Sequence, residues 1–129
     1  METLIIESTI KTPRIIFDPK RNLFEIVGRS LPDNVIITYQ PVLDWFSNNL
    51  ENIGDKHIVF QFRMSYLNSA STKMFSTFLL RLEKYYKQGA NIEVHWYYAK
   101  DDDVQPEEEI LANVKDLPVK VIAVDDLEM

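Results

Sequence analysis

The densest group of reactive side chains in this sequence stands in MSYLNSASTKMF, Met64 to Phe75, where Asn68, Ser69, Ser71 and Thr72 fall within five positions. A strand-like apolar run stops there and a helical pattern begins. Two chemistries suit such a cluster. Ser, Thr and Asn at a helix start accept hydrogen bonds from the free amides of the first turn, each such cap worth about 1 kcal/mol. A hydroxyl in the same place could instead accept a phosphoryl group. The helix start carries unpaired N–H groups and about half a positive charge, which stabilises a nearby exposed phosphate by roughly 0.3–1 kcal/mol. The added phosphate would bring about −1.5 to −2 charges and disfavour a partner built for the neutral hydroxyl. The local pattern leaves capping and a functional hydroxyl both open.

Other constellations are weaker. A serine nucleophile needs a base, and only His57 and His95 are present, with no G-x-S-x-G elbow. His57 opens a strand pattern at the end far from Ser69, and His95 falls on the less apolar side of another, where a histidine ordinarily packs or faces solvent. Asp101, Asp102 and Asp103 could gather a hard cation with Glu107 or Glu108, although such a run is ordinarily a solvated loop. Neither a P-loop nor a dinucleotide fingerprint occurs, so no nucleotide cofactor is implied. Trp96, Tyr97 and Tyr98 read as core aromatics, with Tyr66 and Tyr97 near the edge of the seam, where aromatics can anchor partners.

Composition narrows the classes. A length of 129 residues suits one domain that buries roughly two-thirds of its unfolded surface. The net charge of −6 and the lack of a Lys/Arg cluster speak against nucleic acid and anionic membranes as partners. No cysteine is present, which removes disulfides, thiol catalysis and cysteine-ligated zinc. The start METLIIESTIK lacks signal-peptide character, and no apolar run approaches the ~20 residues of a membrane span. A cytoplasmic protein is expected.

These residues must be positioned by the elements around them. PRIIF and NLFEIVG flank the turn signal Asp18-Pro19, predicting an N-terminal hairpin, with a further short strand near Leu4 to Ile6. After Pro32-Asp33-Asn34, the residues Val35, Ile36, Tyr39, Leu43, Phe46 and Leu50 recur at helical spacing, and Pro41 predicts a kink or two helical pieces. From His57, the alternation of Ile58, Phe60, Phe62 and Met64 predicts a strand with one buried face. The helix after the seam carries Phe75, Phe78, Leu79, Leu82 and Tyr86 on one stripe and stops at Gly89. NIEVHWYYA is a second alternating strand. A short acidic helix follows, with Asp103 as cap and Glu107 to Glu109 near its positive end, and VKVIAV closes the chain as a strand. Strand–helix alternation predicts an α/β mixed sheet, and the polar second faces predict helices mainly on one side.

YLNSAS with its amphipathic helix, GANIEVHWYY, the acidic DDD, and the N-terminal TPRIIFD and SLPDN segments together carry a resemblance over nearly the whole chain. The sequence is similar to the SiaC family of bacterial regulatory phosphoproteins, whose characteristic segment runs Tyr-Leu/Phe-Asn-Thr/Ser-Ser-Ser. The resemblance implies a single STAS-like domain over residues 1–129, like the anti-sigma-factor antagonists, with no catalytic activity or cofactor of its own. It implies a partner switch within cyclic-di-GMP signalling: a serine/threonine protein kinase modifies the chain, a PP2C-type phosphatase restores it, and the unmodified form binds a downstream target such as a diguanylate cyclase. The acceptor follows the asparagine, which assigns it to Ser69. Asn68 is then expected to shape the turn, Ser71 and Thr72 to cap the helix, and Tyr66, Leu67, Lys73 and Met74 to form the partner surface, with Lys73 near the phosphate.

The chain departs from the family pattern in two places. Ser69 stands where many members have threonine, and Ala70 where many have a second serine; Ala99 and Lys100 stand where the family often carries an acid. The rival reading is a small metal-dependent enzyme or ligand-binding domain using His95 and Asp101 to Asp103. A constitutive scaffold that binds without modification is a third.

Overall fold

Asp18 builds the turn of the N-terminal hairpin: Oδ1 accepts the N–H groups of Lys20 (3.0 Å) and Arg21 (3.4 Å), and Asn22 takes a left-handed φ of 51°. In the computed structural model, which describes residues 1–101 and 108–128, the elements are β1 (Leu4–Ile6), β2 (Arg14–Asp18), β3 (Leu23–Ser30), α1 (Val35–Asn49), β4 (His57–Leu67), α2 (Ser69–Lys87), β5 (Asn91–Ala99), α3 (Glu108–Ala112) and β6 (Val119–Val124). The strands make one mixed sheet in chain order. β1, β2 and β3 pair antiparallel, and β3, β4, β5 and β6 pair parallel.

Each parallel strand adds on the same side of its predecessor, so right-handed crossovers place all the connecting helices on one face of the sheet. The expected one-sided α/β arrangement is the observed one. Ile15, Phe17, Phe24, Ile26, Ile58, Phe60, Phe62, Ile92, Val94 and Trp96 point from the strands into the same core as Phe46, Phe75, Phe78 and Leu82 of the helices. The opposite face carries half-buried Glu25, Gln61, Arg63, Glu93, His95 and Tyr97.

Two details of α1 differ from expectation. Its buried residues are Tyr39, Val42, Trp45, Phe46 and Asn49, whereas Ile36, read as part of the apolar stripe, is 62% exposed. The reason is placement: the Tyr39 hydroxyl is level with Ser30, the last residue of β3, so the preceding turn stands beyond the end of the strand. Of the two alternatives expected at Pro41, the split into two pieces does not occur: the helix runs unbroken past it. The carbonyl that loses its donor belongs to Ile37, on the solvent side, where water can serve it.

The far end of α2 is tied down by Glu83. This buried carboxylate accepts the N–H groups of Lys115 (2.8 Å), Asp116 (2.7 Å) and Leu117 (3.1 Å) through one oxygen, fixing the approach to β6. Burial works against its charge, and the three backbone donors with nearby Lys87 more than offset that, holding the carboxyl below its ordinary range. The expectations for Asp102, Asp103 and the side chains of Glu107 to Glu109 lie outside the described residues.

Candidate functional site

The seam between β4 and α2 is shaped by a one-residue bulge. Gly28 of β3 pairs with Met64 of β4, but Arg29 pairs with Tyr66, leaving Ser65 as the extra residue with its hydroxyl donating to the Gly28 carbonyl at 3.2 Å. The bulge reverses the alternation of β4. Tyr66, which shares parity with core residues Phe60 and Phe62, is turned out and 54% exposed, while Leu67 packs toward the core. Gly28 permits this: its φ is +133°, and a Cβ there would stand 3.3 Å from the Cα of Pro13.

β4 then passes into α2 through Asn68. Its N–H donates to the Ser30 carbonyl at 3.0 Å, and its Oδ1 accepts the Ser71 N–H at 2.9 Å, so Asn68 itself is the helix cap. This corrects the capping expected of Ser71 and Thr72. The Thr72 hydroxyl donates back to the Asn68 carbonyl at 3.0 Å, and the Ser71 hydroxyl is turned inward, where its residue is fully buried. There the hydroxyl of Ser30 meets Ser71 Oγ at 2.6 Å and Tyr39 Oη at 2.5 Å, joining β3, α1 and α2 in one buried network. Burial pushes the Tyr39 phenol up to about 12, so it stays protonated and can serve as a donor at neutral pH.

Ser69 is placed differently. It is the first residue of α2, exposed, and among the described residues no side chain hydrogen-bonds its hydroxyl. Asn68 accepts the Ser71 N–H on its side chain and the Thr72 N–H on its carbonyl, leaving the Ser69 and Ala70 amides at the helix start to serve an incoming anion. Exposed Lys73 lies one turn further on the same side of the helix. Tyr66 and Lys73 are therefore available to a partner. Leu67 and Met74 are largely taken up by packing against the core.

Of the rival centre, His95 and Asp101 fall among the described residues. His95 is paired with Glu93 on the open face of the sheet, where Glu93 also meets Lys120 (3.3 Å) and His57 (3.7 Å). The hydrogen bond from His95, with Lys120 beside it, holds the Glu93 carboxyl below its usual range. Among the described residues, no three His, Asp or Glu side chains converge where a metal could sit. Asp101 is exposed at the end of β5, and Asp102 and Asp103 lie outside the described residues. His57 begins β4, an eleven-residue strand spanning ~36 Å, and so cannot reach Ser69 at its other end.

Comparison with known proteins places the whole chain. Residues 6–124 match the model of the SiaC family regulatory phosphoproteins. The chain belongs to the SiaC family. It is 28% identical over 103 residues, 80% of this chain and 81% of the other, to an uncharacterised protein of Pseudomonas aeruginosa strain UCBPP-PA14. It also superposes on the structure of SiaC of Pseudomonas aeruginosa with a TM-score of 0.84 at 27% identity, covering 96% of this chain and 100% of that one. A third match is to the crystal structure of the diguanylate cyclase SiaD in complex with its activator SiaC from the same organism. There the TM-score is 0.84 at 26% identity, with coverage of 94% and 99%.

For a SiaC-family chain, the sequence missed Ser30 and Tyr39 as supports of the seam. Ser30 did carry a signal: it shares parity with Phe24 and Ile26, so a hydroxyl there had to be buried and had to find partners.

Proposed function

We propose that this chain is a phosphorylation-controlled partner switch with Ser69 as acceptor, acting as one SiaC-like domain over residues 1–129 with no catalytic activity of its own. The observation that carries the reading is the contrast between neighbouring hydroxyls: Ser71 is buried and engaged, whereas Ser69, at a capped helix start, is exposed and unengaged among the described residues. A kinase can reach one and not the other. The serine/threonine kinase, the PP2C-type phosphatase and a cytoplasmic setting follow from the family's circuit. So does the target, since SiaC of Pseudomonas aeruginosa activates a diguanylate cyclase with which it forms a complex.

Phosphate on Ser69 would sit against the amides of Ser69 and Ala70 with Lys73 one turn away, a setting that favours the dianion. Its charge would then stand beside exposed Tyr66 and disfavour a partner matched to the neutral hydroxyl. Incubation with the cognate kinase and ATP should place one phosphate on Ser69, located by peptide mass spectrometry and absent from Ser69→Ala. Label on Thr72 that survives Ser69→Ala would overturn the assignment.

A further inference from the structure

Eight large hydrophobic residues are exposed among those described, and four of them, Ile10, Ile36, Ile37 and Tyr66, gather at the end of the sheet where Ser69 stands. The connections fix their neighbourhood. α1 and α2 both begin past the ends of parallel neighbours β3 and β4, and the Ser30 hydroxyl touches Tyr39 of one helix and Ser71 of the other. Ile36 and Ile37 therefore occupy the first turn beside the first turn that holds Ser69. Ile10 is drawn to the same corner because its carbonyl accepts Arg29 Nε at 2.7 Å, and Arg29 is the register partner of Tyr66. Ile10 is 78% exposed and Ile37 72%, values that no packing within the chain explains.

Charge is distributed unevenly around these side chains. Lys11, Arg29 and Lys73 surround the patch against Asp33, which pairs with Lys11 at 3.1 Å, although the chain as a whole carries −6. Of the other acids of this end, Glu7 follows β1, and Asp101, Asp125, Asp126 and Glu128 lie away from the patch beyond β5 and β6. An apolar patch with a cationic rim fits a protein surface that is apolar with an acidic rim. A dianionic phosphate on Ser69 would cancel this complementarity, the sign that a switch released by phosphorylation requires.

We infer that Ile10, Ile36, Ile37 and Tyr66 form the docking face for the regulated diguanylate cyclase, with Ser69 at its border and α1's first turn as a second recognition element. The inference rests on the proposed switch and extends it from the acceptor to a surface on another helix. Docking on this face buries Ile36 and Ile37, and long-range attraction to Lys11, Arg29 and Lys73 accelerates encounter and weakens with added salt.

The test measures affinity of the full chain for the diguanylate cyclase SiaD of Pseudomonas aeruginosa by calorimetry, each variant first confirmed folded by circular dichroism. Ile37→Asp should weaken binding by about tenfold or more, as loss of a central apolar anchor does, while Leu80→Asp, at an exposed apolar site of α2 outside this face, should bind like the unsubstituted chain. Joint replacement of Ile36 and Ile37 by Asp with no loss, in the face of a loss for Ser69→Asp, would overturn the docking face and leave the switch standing. Equal affinity for Ser69→Asp, Ile37→Asp and the unsubstituted chain would overturn both. An unmodified chain that fails to bind this cyclase would overturn the choice of occupant.

Discussion

The two long helices begin in the same way and are used differently. α1 opens with Asn34-Val35-Ile36-Ile37-Thr38 and α2 with Asn68-Ser69-Ala70-Ser71-Thr72. In each, the Asn side chain accepts the N–H three residues on, at 3.1 Å in α1 and 2.9 Å in α2, and the Thr hydroxyl donates back to the Asn carbonyl, at 2.8 Å and 3.0 Å. The caps are equivalent, so capping cannot be what sets the seam apart. The difference lies in the three residues between. In α1 they are apolar, and two stand in solvent; in α2 one hydroxyl is exposed and another is locked to Ser30 and Tyr39. A helix start becomes a candidate acceptor when it presents a free hydroxyl on a turn held from beneath.

Breaking the hold from beneath should have the largest effect. Tyr39 is fully buried, with its ring centroid 5.5 Å from those of Phe75 and Phe78. Tyr39→Ala leaves a cavity and should cost about 3–5 kcal/mol in urea unfolding. It should also speed hydrogen exchange at Thr72 and Lys73, in the first turn of α2. Unchanged exchange there would mean that the Asn68 cap suffices by itself and that the two helix starts differ less than the buried network suggests.

A smaller effect separates the caps from the acceptor. Asn34→Ala and Asn68→Ala should each lower stability by about 1 kcal/mol, read as similar shifts of the denaturation midpoint. Only Asn68→Ala should slow phosphate transfer to Ser69, because only that cap orients the residue beside it. Equal slowing by both variants would show that transfer depends on general helix stability.

Much of this arrangement was legible before any coordinates. Alternation in Ile58 to Met64 and in Ile92 to Tyr98 disclosed both central strands, and the polar second faces disclosed the one-sided helix layer. The proposal of Ser69 as acceptor followed from the asparagine before it once the family resemblance was drawn. The bulge was not legible, because Ser65 continues the alternation and only pairing with Gly28, 37 residues away, reveals it as the extra residue. Nor could spacing show which hydroxyl of NSAST turns inward. That depends on Ser30, 41 residues from Ser71, and local sequence carries no information about which distant group will be its partner. The equivalence of the two caps was present in the sequence as two Asn-x-x-x-Thr segments, and it becomes informative once both are seen to form the same hydrogen bonds.

The smallest effect at neutral pH sharpens the same comparison at alkaline pH. Burial raises the Tyr39 phenol to about 12 from its ordinary 10.0, so the folded chain holds its proton where an unfolded chain has begun to lose it. With more protons bound in the folded state between these values, stability falls as pH rises through that interval and is unaffected below it. Tyr39→Phe keeps the ring, removes the titrating group and costs no more than about 1 kcal/mol at pH 7, since Ser30 and Ser71 can still bond each other. Above pH 10 the unsubstituted chain should lose stability faster than Tyr39→Phe, with the two unfolding curves converging. Parallel loss in both would show that other groups govern the alkaline limit and that the buried phenol does not bind its proton in the way its setting beneath α2 implies.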